Sequence, residues 1–573
     1  MFEQSHKQDA LKNLMASEYI FEENDPGEKK KSIYGEHAVL HIIENDNVEQ
    51  AMKMLKYAAD WYEHPHPHDR DHRGEVDFTA HALLSALYEP ECYMKLTDEV
   101  KASIKRFYLE YDFSSIYGSE NHALIFHASR LLAAQFYKGE YFVNYDISAE
   151  ECYAKELGYM HEFINFRAGK GWGEFDSLGY SRVIMTMLGI VHKYTADSAL
   201  KNKCHMAMDV ILLDMAADSL GELYAGAHGR SYPEAIIDRN KADMTRLFRY
   251  YFGGRFYDGK EMTNVQLYLS DYIPSPIVYQ VIADKKLPYE NREKKHLHLM
   301  SAWTGDIDHK AIEIEQGSIN KYTYVCEDYA IGSINLQEDY NSLINESDRG
   351  YARHQQHEWE LTLPGGGEHK IFSHHSAIAD YHKVNNRWTG DQRCCCGSFY
   401  TNKTTAIAMY NIDNRERLPL INAFVPLEVF GEKILEEKYL FLEYDKLYIS
   451  LYFDNGYRIN HEDEFENKEL LSEGWQNAVV CRVAYKDKYD SLKAFADTIK
   501  ALPVVFDREK RKVTFDGIEV RRDGNSENGV ENKYPYTKTY DCPFLQSEWD
   551  SKVINVIHDG KTYVYDFMNN VVR

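Results

Sequence analysis

No run of eighteen uninterrupted apolar residues occurs in the 573-residue sequence, so a membrane-spanning helix is not expected. The opening MFEQSHKQDALKNLMASEYIF has no basic stretch leading into an apolar run, which argues against an ordinary export signal. Nine cysteines are scattered apart from the run Cys394, Cys395 and Cys396, and no CxxC pair offers a zinc or redox spacing. These absences lead to the expectation of a cytoplasmic chain in a reducing compartment. Positive charge is also scarce: 66 Lys and Arg stand against 91 Asp and Glu, a formal charge of −25. Nucleic-acid binding needs a basic footprint to replace counterions on phosphate, so neither a nucleic acid nor a membrane is an expected partner. The same charge repels long polyanions out to about 8 Å at physiological salt, so an anionic ligand would need a local basic cleft, a short length, or both.

What is present is an ordinary globular composition, 44% hydrophobic and 27% charged, on a chain long enough for two or more domains. Apolar residues recur at three and four in eight segments of the first half: 49–63, 76–89, 98–113, 119–137, 149–166, 177–194, 199–220 and 235–252. Short polar loops between them make antiparallel neighbours the default. After about residue 300 the period becomes two, in 321–334, 357–363, 404–412, 438–453 and 561–568, with Gly, Asn and Asp between the runs. The expected division is a helical domain over 1–300 and an antiparallel β-sandwich over 301–573.

If successive helices alternate between an outer and an inner ring, the inner ones begin near residues 76, 119, 177 and 235, all at one mouth. Ser119 is a natural N-cap that puts Asn121 and His122 in the first turn of one inner helix, and Ser177 does the same for Tyr180. The loop LYAGAHGRSYPE leads into another with His228, Arg230 and Tyr232, and the loop HPHPHDRDHRGE, with His68 and His72, leads into the first. Trp172 and Glu174 in GWGEFDSLGY lie just before Tyr180. Helix N-termini carry unpaired amides and partial positive charge, so this rim should attract a carboxylate despite the acidic chain.

Adjacent Asn121 and His122 opening a helix, Tyr180 opening the next inner helix, and a His-bearing strand early in the second half together resemble the heparinase II/III and oligoalginate lyase group of polysaccharide lyases. The family's strand motif is of the form HxHxDxLSF. Here its nearest equivalent is HQQHEWELTL, in which His357 and Leu361 keep the spacing, Gln355 stands for the first His, Trp359 replaces the Asp, and His354 is a substitute for His357. The resemblance implies an α+β multidomain fold, an incomplete (α/α) toroid followed by an antiparallel β-sandwich. It also implies β-elimination on a uronate-containing oligosaccharide or polysaccharide. Asn121 and His122 would neutralise the substrate carboxylate, Tyr180 would act as base and then acid, and His357 would assist, with His228, Arg230, Tyr232, Trp172, Glu174, His354, His68 and His72 around the sugar.

A phenol titrates near pKa ~10, and lowering it to about 8 takes roughly 2.7 kcal/mol, which a cation such as Arg230 is expected to supply. No metal or organic cofactor is required for this chemistry. A structural divalent metal and a homo-oligomeric state are left open. Alternating Pro in the 64–72 run keeps its histidines extended, which favours a solvated or sugar-binding loop over a metal site. Two rivals remain at this stage: a glycoside hydrolase on a similar toroid, with two carboxylates from Glu120, Glu174 and Asp176, and a non-catalytic carbohydrate-binding protein whose 14% aromatic content supplies stacking faces.

Overall fold

The computed structural model describes residues 4–16, 35–60, 63, 77–111, 120–174, 176–252, 264–296, 318–335, 357–375, 387–388, 397–412, 418–521, 524–532 and 536–573. The N-terminal half is helical. Its long helices are Val48–Ala59, Asp77–Tyr88, Asp98–Glu110, Glu120–Phe136, Ala149–Lys170, Tyr180–Tyr194 and Ser198–Ala217. Among the described residues no helix is long and apolar enough to cross a membrane.

Burial separates these helices into two kinds. Val48–Ala59 and Asp98–Glu110 bury one stripe, as amphipathic surface helices do. Asp77–Tyr88, Glu120–Phe136 and Tyr180–Tyr194 are buried almost all round and pack against one another. Their polar residues are therefore paired: His127 Nδ1 meets Glu156 Oε2 at 2.6 Å, and Arg130 Nε meets Glu156 Oε1 at 3.0 Å. Ala149–Lys170 begins with a reciprocal cap, in which Glu151 N–H donates to Ser148 Oγ and Ser148 N–H donates to the Glu151 carboxylate. The 235–252 segment, expected as one helix, is Pro233–Ile237 and Asp243–Phe252 with a 3-10 turn between them. Asp238 causes the break: its carboxylate accepts from Asn240 N, turning the chain out of the helical path.

The second half is built on antiparallel sheets. In the largest, of thirteen strands, Tyr289–His296, Ser318–Val325, Ala330–Asn335, Trp359–Thr362 and Lys370–His375 pair in sequence order. Leu420–Phe424, Glu469–Glu473 and Arg458–Ile459 extend it on one side, and the strands from Lys538–Cys542 to Val571–Val572 on the other. A six-stranded sheet faces part of it across a core containing Ile331, Leu361, Ile371, Leu440, Ile449 and Val479.

The halves are less separate than the change of period at residue 300 suggests. The first strand of the large sheet already starts at Tyr289, and the C-terminal strands return beside it. Their Tyr540, Leu545, Ile554, Val556 and Tyr565 then join the same core as the helices. Polar contacts follow the same seam: Tyr565 Oη donates to Asp209 at 2.9 Å and Tyr289 Oη to the Ala217 carbonyl at 2.9 Å, both on the Ser198–Ala217 helix or its last turn.

Candidate active site

Three helical starts and one loop meet where the helical half touches the large sheet. The Glu120–Phe136 helix brings Asn121 and His122 in its first turn, and the Tyr180–Tyr194 helix begins with Tyr180 itself. Ser177 ties the second start to the loop: its Oγ accepts from Tyr180 N at 3.0 Å and donates to the Arg230 carbonyl. Ser119 and the 64–72 run, with His68 and His72, lie outside the described residues, as does His354.

Hydrogen bonds run through the site as a chain. Tyr180 Oη and Tyr232 Oη are 2.7 Å apart, and Arg230 donates to Tyr232 Oη at 3.2 Å and to Glu174 Oε1 at 2.9 Å. The other oxygen of Glu174 accepts from Asn121 Nδ2 at 2.6 Å and from the Asn121 backbone N–H at 3.2 Å. The Arg230 guanidinium also lies over the Tyr180 ring, 4.1 Å from its centre. Next along the helix, His122 Nδ1 hydrogen-bonds the Asp77 carboxylate, and its ring meets the edge of Phe78. Tyr180, Arg230 and Tyr232 keep partial exposure, whereas Asn121, Glu174 and Asp77 are buried.

Two expectations about charge come out differently. The helix amides do attract carboxylates, but from the protein itself. Glu174 takes the N–H of Asn121, while Glu120 takes those of Gly173 and Glu174 at 3.1 and 2.9 Å and is held by Arg167 at 2.5 Å. The Tyr180 phenol is not lowered towards 8. Burial raises it well above its ordinary value, Arg230 opposes that, and Tyr232 and Glu174 add to the rise. A phenol desolvated among other hydroxyls and a carboxylate keeps its proton in the resting site, even beneath a guanidinium.

His357 is placed differently from its expected role. It is fully buried, with Nδ1 2.9 Å from His374 Nε2 and Nε2 2.9 Å from Glu360 Oε2. Its ring stacks on His228 at 4.7 Å, and the two residues exchange backbone hydrogen bonds of 3.0 and 3.1 Å. His357 and His228 thus pin the 226–232 loop to the sheet, two residues before Arg230. Trp172 is also mostly buried and lines a small cavity with Asp176 and Asp214.

The carboxylates considered for a hydrolase are all committed to cations: Glu120 to Arg167, Glu174 to Arg230 and Asp176 to Lys321. A hydrolytic pair needs one protonated acid and one base flanking the sugar, whereas each of these carboxylates is ion-paired in the resting site. For a metal, the described acids spaced closely enough are Asp176, Asp218 and Glu293, and the Lys321 ammonium stands among them at 2.5, 2.5 and 2.9 Å. The cation of that site is a lysine. The six described cysteines are free and buried, while Cys394, Cys395 and Cys396 lie outside the described residues.

Sequence reading missed Asp77, Lys295 and Lys321. Asp77 had a signal, an acid in the first turn of an otherwise apolar helix. For the lysines the signal was weaker: each sits in a strand whose neighbours are apolar or hydrogen-bonding on both faces.

No protein-family model matches the sequence, and no curated protein matches it. Among solved structures the chain is similar to the Streptomyces coelicolor A3 chondroitin AC lyase in complex with chondroitin sulphate, with 8% identity, a TM-score of 0.45, and coverage of 98% of this chain and 88% of that one. It is similar also to heparinase III, with 8% identity, a TM-score of 0.42 and coverage of 98% and 91%. A third is a mutant of the heparan sulfate lyase HepC from Pedobacter heparinus, with 9% identity, a TM-score of 0.35 and coverage of 94% and 90%.

Proposed function

We propose that the protein is a carbon–oxygen lyase that cleaves uronate-containing oligosaccharides by β-elimination, its helical half an incomplete (α/α) toroid that brings the helix starts to one rim. The observation that carries this reading is the unbroken hydrogen-bonded chain from Tyr180 through Tyr232, Arg230 and Glu174 to Asn121, with His122 beside it.

Elimination takes the proton from the carbon next to the uronate carboxylate, forms a double bond to the following carbon and expels the glycosidic oxygen from it. The substrate carboxylate must first be neutralised, because an anion resists a second negative charge. Arg230 and the Asn121 amide are the donors for that task, and His122, whose Nδ1–H faces Asp77, adds a third through Nε2–H only as the imidazolium. In the resting site Glu174 occupies two of them and keeps them ordered; an entering uronate carboxylate competes with it. Tyr180, after giving its own proton to solvent, accepts the one on carbon and returns it to the leaving oxygen, so the phenolate is regenerated and protons balance without a second acid. The chain's charge of −25 favours a short substrate over a long polyanion.

A screen of uronate polymers and oligosaccharides, read by the ultraviolet absorbance of the unsaturated product, tests the proposal. Activity should fall about 10²- to 10⁴-fold in Tyr180→Phe, the usual weight of a positioned acid and base. Release of saturated sugars, or equal activity in Tyr180→Phe, refutes it. Sugar binding without turnover on any uronan would instead favour a binding protein.

A further inference from the structure

Beneath the loop that carries Glu174 and leads to Tyr180 lies a buried ionic cluster for which the elimination chemistry has no use. Asp176 enters it from the loop, Asp214 and Asp218 from the end of the Ser198–Ala217 helix, and Glu293 and Lys295 from the first strand of the large sheet. Lys321, on the next strand, reaches Asp176 and Asp218 at 2.5 Å each, Glu293 at 2.9 Å and Tyr224 Oη at 2.9 Å. Lys295 reaches Asp214 at 2.5 Å, Glu293 at 3.3 Å and Asp176 at 3.8 Å. Every charged side chain here is 6% exposed or less.

Three features make Asp176 the loop's anchor and not a bystander. Its backbone is left-handed, with φ 51°, a turn conformation that aspartate adopts more readily than most residues, and its carboxylate meets both Lys321 and Lys295. The cluster also touches the start of the loop, where an added Cβ on Gly171 would come within 3.1 Å of the Lys295 side chain. Between these points Trp172, Asp176 and Asp214 line a cavity of about 20 Å³, room for about one water, so the loop is seated on the cluster without filling it.

We propose that the Asp176–Lys321 ion pair is a positioning contact of the site, fixing the loop between Gly171 and Tyr180 onto the large sheet and so setting where Glu174 stands relative to Arg230 and Tyr180. The sheet, which supplies no member of the hydrogen-bonded chain, acts on the Gly171–Tyr180 loop through this pair, as it acts on the 226–232 loop through the pairing of His357 with His228. The effect on turnover rests on the lyase reading; the effect on loop geometry does not.

Asp176→Asn is the test. The cluster has four carboxylates and two ammonium groups, so losing one negative charge leaves no cation without a partner, and the variant keeps the fold. Hydrogen exchange should accelerate at least about tenfold at the amides of Gly173, Glu174, Ser177 and Leu178, with the rest of the Ala149–Lys170 and Tyr180–Tyr194 helices unchanged. On a uronate oligosaccharide, kcat should fall about 10- to 100-fold with little change in KM, because misplacement costs orientation more than binding. Should Asp176→Asn fail to fold, Asp176→Glu, with the same charge displaced by one methylene, carries the same test. Exchange decides the inference: acceleration confined to this loop supports it, and unchanged rates, or a uniform rise across both helices, overturn it. A wild-type protein that turns over no uronan counts against the lyase reading alone.

Discussion

Tyr180 opens its helix beside Tyr232 and Arg230, and its phenol is poised otherwise than the sequence led us to expect. Burial holds its proton above the ordinary phenol value against the pull of Arg230, so at neutral pH the phenolate is a small fraction. If that fraction is the base, kcat/KM should climb with a slope near one in log units between about pH 7 and 9, tenfold for each unit while the pH stays below the phenol's own value. A flat profile over that range would exclude Tyr180 as the base. At His122 the decisive neighbour is Asp77, whose carboxylate bonds Nδ1 and thereby sets which ring nitrogen carries the exchangeable proton. A hydrogen bond to a charged partner is worth about 1.5–3 kcal/mol, so Asp77→Asn should lower kcat/KM roughly 10- to 100-fold. Unchanged kinetics would make the pair a packing contact.

At the scale of an element, the loop from Gly171 to Tyr180 matters more than either helix it joins. Gly171 ends the Ala149–Lys170 helix at φ 71°, ψ −179°, a region open to glycine alone, and the Lys295 side chain crowds the place a Cβ would take. Gly171→Ala should therefore cost about 1–3 kcal/mol, read as a lower urea midpoint with an unchanged slope. The Glu120–Phe136 helix faces the loop through exchanged carboxylates, Glu120 on the loop's amides and Glu174 on the helix's. A helix start and a loop that cap each other in this way spend the amides of Asn121, Gly173 and Glu174 on the protein's own carboxylates.

Over the whole molecule, buried histidines set the acid limit. Burial pushes His81 and His374 down to about 3, His192 to about 4, and His228 and His357 well below their ordinary value. The unfolded chain takes up protons at these residues below about pH 6.5 and the folded one does not. Stability is thus lost as pH falls, by about 1.4 kcal/mol per residue at pH ~5.5. Asp218 and Asp214 work the other way: burial raises Asp218 to about 6 and Asp214 well above its ordinary value, so their unfavourable contributions are relieved as pH falls towards 3.8. Five histidines outweigh the two. The urea midpoint should be clearly lower at pH 5.5 than at pH 7.5, and an equal or higher midpoint would show that these rings take up protons in the folded state.

The helices and strands themselves were legible, because periods of three to four and of two record which face each segment buries. Asn121, Tyr180, Arg230 and Tyr232 were legible for a related reason: polar residues at helix starts and in a compact loop stand out against apolar runs. The burial of His357 was not legible, because a strand with one face in the apolar core and the other on hydrogen-bonded polar groups has the same alternation as one half in water. Whether Arg230 would face Glu174, whether Lys321 would reach Asp176, and how far Tyr180 would be desolvated depended on segments far apart in the chain. The sequence by itself determined the local elements and the types of group at their ends. Only tertiary structure decided which charges meet and how much water they keep, because those energies depend on distance and burial, and neither is written in the order of residues.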